Sequence, residues 1–486
     1  MHLPDWLARR AALHPERPAL ICAGQTWSFA SLHRDADLVA LCLRELGVQP
    51  GDRVALLARN SPGYAAILHA TPRCGMVLVP LNTRLSEQEL AWQLADCRPR
   101  LLIYDEAYAA QVASLPVRSV ALENLGMARS PTFDSPTSPT SSSDQQIDLA
   151  APHTLIYTSG TTGQPKGALL TAGNHWWSAT ASMLNLGLNE ADRWLAVLPL
   201  FHVGGLSILM RGAIYGMPVV LHERFEPTAV LQALVEERVT LVSLVAVMLQ
   251  RLLDHDQAGV LPASLRCVLL GGGPAPRPLL EACAARDLPV AQTYGMTETA
   301  SQVATLAPAD ALRKLGSAGQ PLLPMELRVE APTGEVGEIC VRGPMVTPGY
   351  YNRPEATAKA LRDGWLHTGD LGYLDEEGYL YIVDRRSDLI ISGGENIYPA
   401  EVEAALLAHP AVAEAGVVGM PDATWGEVPV AFVVAREGST PEVNALLEHC
   451  RASLAGYKIP RRITLVNELP RTAAGKLRRN LLRTML

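Results

Sequence analysis

Ten consecutive residues concentrate the groups that could hold a phosphate chain. In Thr158-Ser159-Gly160-Thr161-Thr162-Gly163-Gln164-Pro165-Lys166-Gly167, four side chains carry hydroxyls, three positions are glycine and one is lysine. Glycine lets backbone N–H groups turn toward a ligand, and successive N–H groups form a concavity that accepts anions. The hydroxyls of Thr158, Ser159, Thr161 and Thr162 add donors and Lys166 adds a full positive charge, a set suited to a polyphosphate. The spacing is not that of the common ATPase loop, where glycine directly precedes Lys-Ser/Thr at a helix start. Here Pro165 precedes Lys166 and Gly167 follows it. The β-prone runs Thr154-Leu155-Ile156-Tyr157 and Ala168-Leu169-Leu170-Thr171 on either side make the element a strand–loop–strand hairpin.

Other residues offer complementary chemistry. Cys267-Val268-Leu269-Leu270 runs into Gly271-Gly272-Gly273, exposing backbone at the end of a strand, where open α/β sheets place ligands. Glu298 supplies the carboxylate that a hard cation beside phosphate oxygens needs. Asp370 can accept both hydroxyls of a diol. Arg211 interrupts the apolar run Leu206-Ser207-Ile208-Leu209-Met210-Arg211-Gly212-Ala213-Ile214. A charge on an apolar helix is costly unless paired, and a guanidinium clamps a carboxylate bidentately. If Arg211 faces a pocket, the ligand there carries an anion; a snorkelling arginine is the alternative.

The elements that must position these groups follow from the pattern of apolar runs. The chain has 486 residues, enough for about three domain-sized units. It is 48% hydrophobic and 19% charged, with 41 basic against 49 acidic residues, a net charge of −8 that argues against a nucleic-acid binder. Eight scattered cysteines form no CxxC pair and read as buried thiols in a reducing compartment. The charged N-terminus lacks the apolar core of a secretory signal, and no apolar run is long enough to span a bilayer, so the expected location is the cytoplasm. Residues 1 to about 128 alternate helix and strand: helices at Trp6 to Leu13, Ser31 to Leu46 and after the cap Asn60-Ser61-Pro62, strands at Arg53 to Ala58, Gly75 to Leu81 and Leu101 to Tyr104. A Ser/Pro/Thr segment over 130–146 cannot bury apolar area and reads as a flexible connection. Alternation resumes from Ala151 to about Asp310, and Gly316 to Asp384 reads as a small β-rich subdomain. The fold class is therefore α/β: a large N-terminal domain of layered α/β sheets with a small β-rich subdomain, then a small α+β C-terminal domain.

An ordered set of motifs carries a family resemblance. After the hairpin come Leu198-Pro199-Leu200-Phe201-His202-Val203-Gly204-Gly205, Tyr294-Gly295-Met296-Thr297-Glu298-Thr299, Trp365-Leu366-His367-Thr368-Gly369-Asp370, Asp384-Arg385-Arg386-Ser387-Asp388, Ser392-Gly393-Gly394-Glu395-Asn396-Ile397-Tyr398-Pro399 and Pro470-Arg471-Thr472-Ala473-Ala474-Gly475-Lys476. Over nearly its whole length the chain resembles the adenylate-forming superfamily of acyl-CoA synthetases, luciferases and peptide-synthetase adenylation domains. The resemblance implies two half-reactions. A carboxylate attacks the α-phosphorus of ATP to give an acyl-adenylate, and a thiol, usually that of coenzyme A, then attacks the activated carbonyl. It implies a large domain over 1–385, a hinge at 386–387, where Ser387 replaces the commoner Asp or Lys, and a mobile lid over 388–486.

The resemblance also assigns roles. The hairpin residues Thr158 to Gly163 and Lys166 hold the triphosphate. Gly271, Gly272, Gly273, Thr293, Tyr294 and Gly295 line the nucleotide, with the Tyr294 ring stacked on adenine. Thr297 bonds the α-phosphate and Glu298 ligates Mg²⁺. Asp370 and Arg385 hold the ribose and its phosphate, and Gly393 and Gly394 line the pantetheine path. Lys476, which its polar surroundings alone would leave a solvated lysine, becomes the catalytic bridge between the carboxylate oxygen and the α-phosphate. His202 is a gate or catalytic residue at the acyl pocket. Amino-acid adenylation domains usually place an aspartate at this motif. Its absence, with Val203-Gly204-Gly205 following, speaks against an amino-acid substrate. Arg211, with Ser243 and Thr299 as weaker pocket candidates, aligns the chain with CoA ligases of an aromatic dicarboxylic keto acid. A general medium-chain fatty or aryl acyl-CoA synthetase is the alternative. The expected partners are thus a small carboxylate, ATP, Mg²⁺ and coenzyme A; a homo-oligomer is compatible with the sequence.

Overall fold

The computed structural model describes residues 1–126, 146–158, 165–256, 259, 261–272, 275, 277–384, 389–470 and 479–485. The expected Ser/Pro/Thr connection, the tip of the hairpin, the hinge and Lys476 lie outside the described residues.

Two sheets organise the large domain. One has seven strands in the order Gly349–Tyr350, Lys166–Thr171, Pro152–Thr158, Val77–Pro80, Arg53–Leu57, Leu101–Tyr104 and Ser119–Ala121. The other has a parallel centre, Cys267–Leu270 beside Leu241–Leu244, Trp194–Ala196, Val219–Leu221 and Pro18–Cys22. Its central strands alternate between two apolar clusters. Leu20, Trp194, Val219, Leu241 and Cys267 face one; Ile21, Leu195, Val220, Val242 and Val268 face the other. Strands covered on both faces must be apolar throughout, which is why they read as unbroken hydrophobic runs.

The first cluster also takes in Val54, Leu56, Leu78 and Ile103 from the seven-stranded sheet. Helices Pro62–Cys74 and Val203–Tyr215 therefore lie in the layer between the sheets, buried on nearly every side. Ser61 caps the first of them, accepting from the Tyr64 N–H, with Pro62 in its first turn as the sequence predicts.

The β-rich subdomain that the sequence predicts after Gly316 is joined to the second sheet. Ser317–Pro321 pairs with Ser301–Leu306 on one side and Leu380–Asp384 on the other, so hydrogen bonding runs on into the strands Trp365–Leu374, Gly337–Arg342 and Glu326–Val329. The C-terminal domain has its own sheet of five strands, built on the long pair Val412–Asp422 and Gly426–Ala435, with its own core around Val402, Val417, Ala431 and Leu446. All eight cysteines are free thiols. Among the described residues no helix is long and apolar enough to cross a membrane.

Candidate active site

The hairpin forms as the sequence predicts. Pro152–Thr158 pairs antiparallel with Lys166–Thr171, Lys166 lies opposite Thr158, and the Thr158 hydroxyl donates to the Lys166 carbonyl at 3.3 Å. A Cβ on Gly167 would sit 2.7 Å from Leu155 Cδ1, so a side chain there would have to push the Leu155 side chain aside. Thr158 and Lys166 border a cavity of about 310 Å³ that reaches the second sheet, the helix Val203–Tyr215 and the C-terminal domain.

Along one wall the cavity is lined by Gly271, Gly272, Thr293, Gly295, Thr297 and Asp370, the residues expected to meet the nucleotide. Gly272 has φ +81°, a backbone conformation that suits glycine at a strand end. Gly295 sits at a bulge, where a Cβ would lie 1.8 Å from the Ser301 carbonyl oxygen. Strand contact therefore enforces that glycine, in addition to any nucleotide. Glu298 lines the same wall, buried, and accepts the Tyr350 hydroxyl at 2.8 Å; the ring of Tyr350 lies under the Lys166 ammonium at 5.5 Å. Tyr350 thus ties the cation of the hairpin to the carboxylate expected to hold Mg²⁺. A buried carboxylate at the cavity wall fits a hard divalent ion. Another set of ligand-type atoms, on Glu330, Glu338, Cys340 and His367, lies outside the cavity lining, and there Arg362 donates to His367 Nδ1 at 2.6 Å and pairs with Glu338.

Two expected residues are placed otherwise. Tyr294 packs in the apolar cluster with Val303, Ile339 and Val341 and does not line the cavity; its hydroxyl donates to Asp370 Oδ2 at 2.7 Å. That hydrogen bond holds the Asp370 carboxylate at the cavity wall. Thr299 is fully buried in the turn Thr297–Thr299, and its hydroxyl donates to the carbonyls of Met296 and Ser301, so it is a turn residue and not a pocket contact. Ser159, Gly160, Thr161, Thr162, Gly163, Gly273, Arg385 and Lys476 lie outside the described residues.

The acyl end holds the arginine flagged by the sequence. Arg211 is 1% exposed and lines the cavity. Its Nη2 donates to Gln302 Oε1 at 3.2 Å, its guanidinium lies 5.1 Å from the centre of the Trp194 ring, and its Nε has no partner. Burial pulls its pKa below the usual arginine value, opposed only by the Tyr215 phenol and the Cys267 thiol; among the described residues no carboxylate pairs with it. Ser243 lines the cavity and accepts the Trp194 indole N–H at 3.0 Å. Gln302, which lines the cavity, and Trp194, which packs beside Arg211 outside the lining, are contacts of Arg211 that the sequence did not single out. A polar side chain on the buried strand Ser301–Leu306 is the signal that could have found Gln302.

At the opposite end the C-terminal domain closes the cavity. Gly393 and Gly394 line it with φ of +59° and +87°. A Cβ on Gly393 would meet the Trp425 ring at 2.7 Å. Glu395, buried, accepts Arg84 Nη1 at 3.0 Å and lies 3.2 Å from His202 Nε2, so His202 contacts the C-terminal domain from the rim of the acyl pocket. Burial works to raise the Glu395 pKa, but the charge and hydrogen bond of His202, with Arg84 and Lys458, outweigh it and hold the carboxyl below its usual range.

The AMP-binding enzyme family matches residues 7–351, and its C-terminal domain family matches residues 401–476. The chain belongs to the AMP-binding enzymes. Among relatives in this family, a 2-succinylbenzoate–CoA ligase of Geobacillus kaustophilus (strain HTA426) is 52% identical, covering 100% of this chain and 98% of its own. A double mutant of the o-succinylbenzoate CoA synthetase from Bacillus subtilis, bound with its product analogue OSB-NCoA, is 46% identical with a TM-score of 0.93, covering 100% of this chain and 99% of its own. The same synthetase in complex with the acyl-adenylate intermediate OSB-AMP gives 46% identity and a TM-score of 0.76, with 99% and 98% covered; in complex with ATP and a magnesium ion it gives 46% and 0.76, with 99% and 100% covered.

Proposed function

We propose that the chain is an AMP-forming ligase that joins o-succinylbenzoate to coenzyme A, a step of menaquinone biosynthesis, and that it works in the cytoplasm. In the first half-reaction a carboxylate oxygen of the acid attacks the α-phosphorus of ATP and pyrophosphate leaves. In the second, the sulfur of coenzyme A attacks the carbonyl of the mixed anhydride and AMP leaves. Both depend on positioning and on charge stabilisation at the reacting atoms. The hairpin and Lys166 hold the triphosphate, Thr297 faces the α-phosphate, and Asp370, oriented by Tyr294, accepts the ribose hydroxyls. Glu298 would hold Mg²⁺, which when bound neutralises charge on the triphosphate.

The observation that carries the substrate assignment is Arg211. A buried guanidinium with an unsatisfied Nε and no carboxylate partner among the described residues is costly until a ligand supplies one. An aromatic dicarboxylic acid supplies it: one carboxylate is activated while the other meets Arg211. A thioesterification panel of o-succinylbenzoate, medium-chain fatty acids and benzoates tests this. o-Succinylbenzoate is expected to have the highest kcat/KM; a fatty acid or a simple benzoate ahead of it would refute the assignment.

The C-terminal domain, residues 388–486, acts as a lid hinged at 386–387. Two structures of one Bacillus synthetase, equally identical to this chain, differ in their TM-score to it, so the difference lies in arrangement and not in sequence divergence. The higher score with the product-analogue complex supports reading the present arrangement as that of thiol transfer. Gly393 and Gly394 then border the path of the pantetheine arm.

A further inference from the structure

A short segment of the large domain carries a cluster of polar contacts to the C-terminal domain. Asn82 Nδ2 reaches the Tyr457 hydroxyl at 3.5 Å, Arg84 donates to Glu395, and the Ser86 hydroxyl donates to the Ser453 carbonyl at 3.2 Å. Glu89, one turn into the helix Glu87–Cys97, accepts the Lys458 ammonium through Oε1 at 2.5 Å. Its other oxygen accepts the Ser86 N–H at 2.8 Å, completing the capping box of that helix. The side chain is therefore held rigidly by its own domain while it presents a carboxylate oxygen to the other.

Lys458 is already paired within the C-terminal domain. Its ammonium donates to Glu401 Oε1 at 2.7 Å, and its side chain is only 4% exposed. One cation and one anion would suffice for a lid facing any direction. Glu89 adds a second carboxylate from outside, in a site where Glu401 Oε2 is buried without a partner. A buried charge pair across an interface fixes orientation, because breaking it leaves charge desolvated.

We propose that Glu89 is a positioning residue for the second half-reaction: its contact with Lys458 latches the lid in the thiol-transfer orientation and plays no part in adenylation. This rests on the ligase reading and on the lid orientation given above. Glu89→Gln keeps a group able to accept the Ser86 N–H but removes the charge; Glu89→Lys sets two cations against each other. Adenylation is read as pyrophosphate release from ATP and o-succinylbenzoate without coenzyme A. Thiolysis is read in a single turnover after coenzyme A is added to the preformed adenylate, and melting temperature is recorded alongside. Glu89→Lys is expected to slow thiolysis by about tenfold or more, as for a broken interface charge pair, and Glu89→Gln by less, with adenylation within about twofold of the unsubstituted protein. Unchanged thiolysis in Glu89→Lys, or equal loss of both half-reactions with a lowered melting temperature, would overturn the latch. Failure of the unsubstituted protein to form any adenylate would instead overturn the ligase reading.

Discussion

The two ends of the cavity are built on different plans. The end proposed to take the acid is the work of one domain: Arg211 from the buried helix, Ser243 from the second sheet and Gln302 from a strand further along it, with Trp194 of a neighbouring strand holding Arg211 and Ser243 from outside the cavity lining. Its residues are packed and hydrogen-bonded before any ligand arrives. The thiol end is a seam, where Arg84 and His202 on one side meet Glu395 on the other and two glycines stand between. A packed pocket can set which acid is chosen in both half-reactions. A seam can be opened and remade, so it can act in one half-reaction and not the other.

Substitutions separate the two plans. The largest effect is expected at neither end but at Lys476, the residue proposed as the catalytic bridge. Lys476→Ala should cut adenylation by roughly 10²–10³-fold, as for a lost preorganised donor, while thiolysis of supplied acyl-adenylate survives. Equal loss in pyrophosphate release and in thiolysis would remove that assignment. At the seam, Gly393→Val places a branched side chain at φ +59° against the Trp425 ring, so single-turnover thiolysis should fall by about tenfold or more through strain and obstruction, with pyrophosphate release spared. Loss of adenylation in that variant would mean that the glycine serves the whole site. At the acyl end, Gln302→Leu strips Arg211 of its hydrogen-bonded acceptor and should raise KM for o-succinylbenzoate by about fivefold, the cost of one unmade buried hydrogen bond, with KM for ATP unmoved. A parallel rise in both constants would show a general loss of packing.

Acid should weaken the large domain more gently. Burial lowers the pKa of His69 to about 3 and of His153 to about 4, from 6.5, and holds His175 well below that value. These imidazoles stay neutral in the fold, whereas the unfolded chain takes up protons below 6.5. Stability is therefore full above that pH and declines as pH falls toward the lowered values, by about 1 kcal/mol per histidine between pH 7.5 and 5.5. Urea midpoints at the two pH values measure the slope; a midpoint that rose on acidification would contradict it.

Much of this was legible in the sequence because single residue types carried it. Glycines and hydroxyls between two β-prone runs marked a hairpin, and its two strands pair as expected. An arginine in an apolar helix demanded a partner. Glu395 and Lys458 were not legible, since their meaning comes from Arg84, His202 and Glu89, residues 193 to 369 positions away in the chain. The tie from Tyr294 to Asp370 was not legible either, since strand pairing with a bulge at Gly295 sets the Tyr294 ring in the β-rich core and brings its hydroxyl to a residue 76 positions on. The β-rich character after Gly316 was legible from its short runs between Gly and Pro, whereas its continuity with the central sheet was not, since that rests on Ser317–Pro321 pairing on both sides.

The pairing of Arg211 with a substrate carboxylate is tested most directly by comparing kcat/KM for o-succinylbenzoate with that for an analogue lacking the carboxylate that is not activated, in the unsubstituted protein and in Arg211→Leu. A preference of about 10²-fold or more is expected in the former, since a buried charge left unpaired by the analogue carries the penalty, and it should collapse in the latter through KM for the acid with KM for ATP unchanged. A preference that survives Arg211→Leu intact would contradict the account.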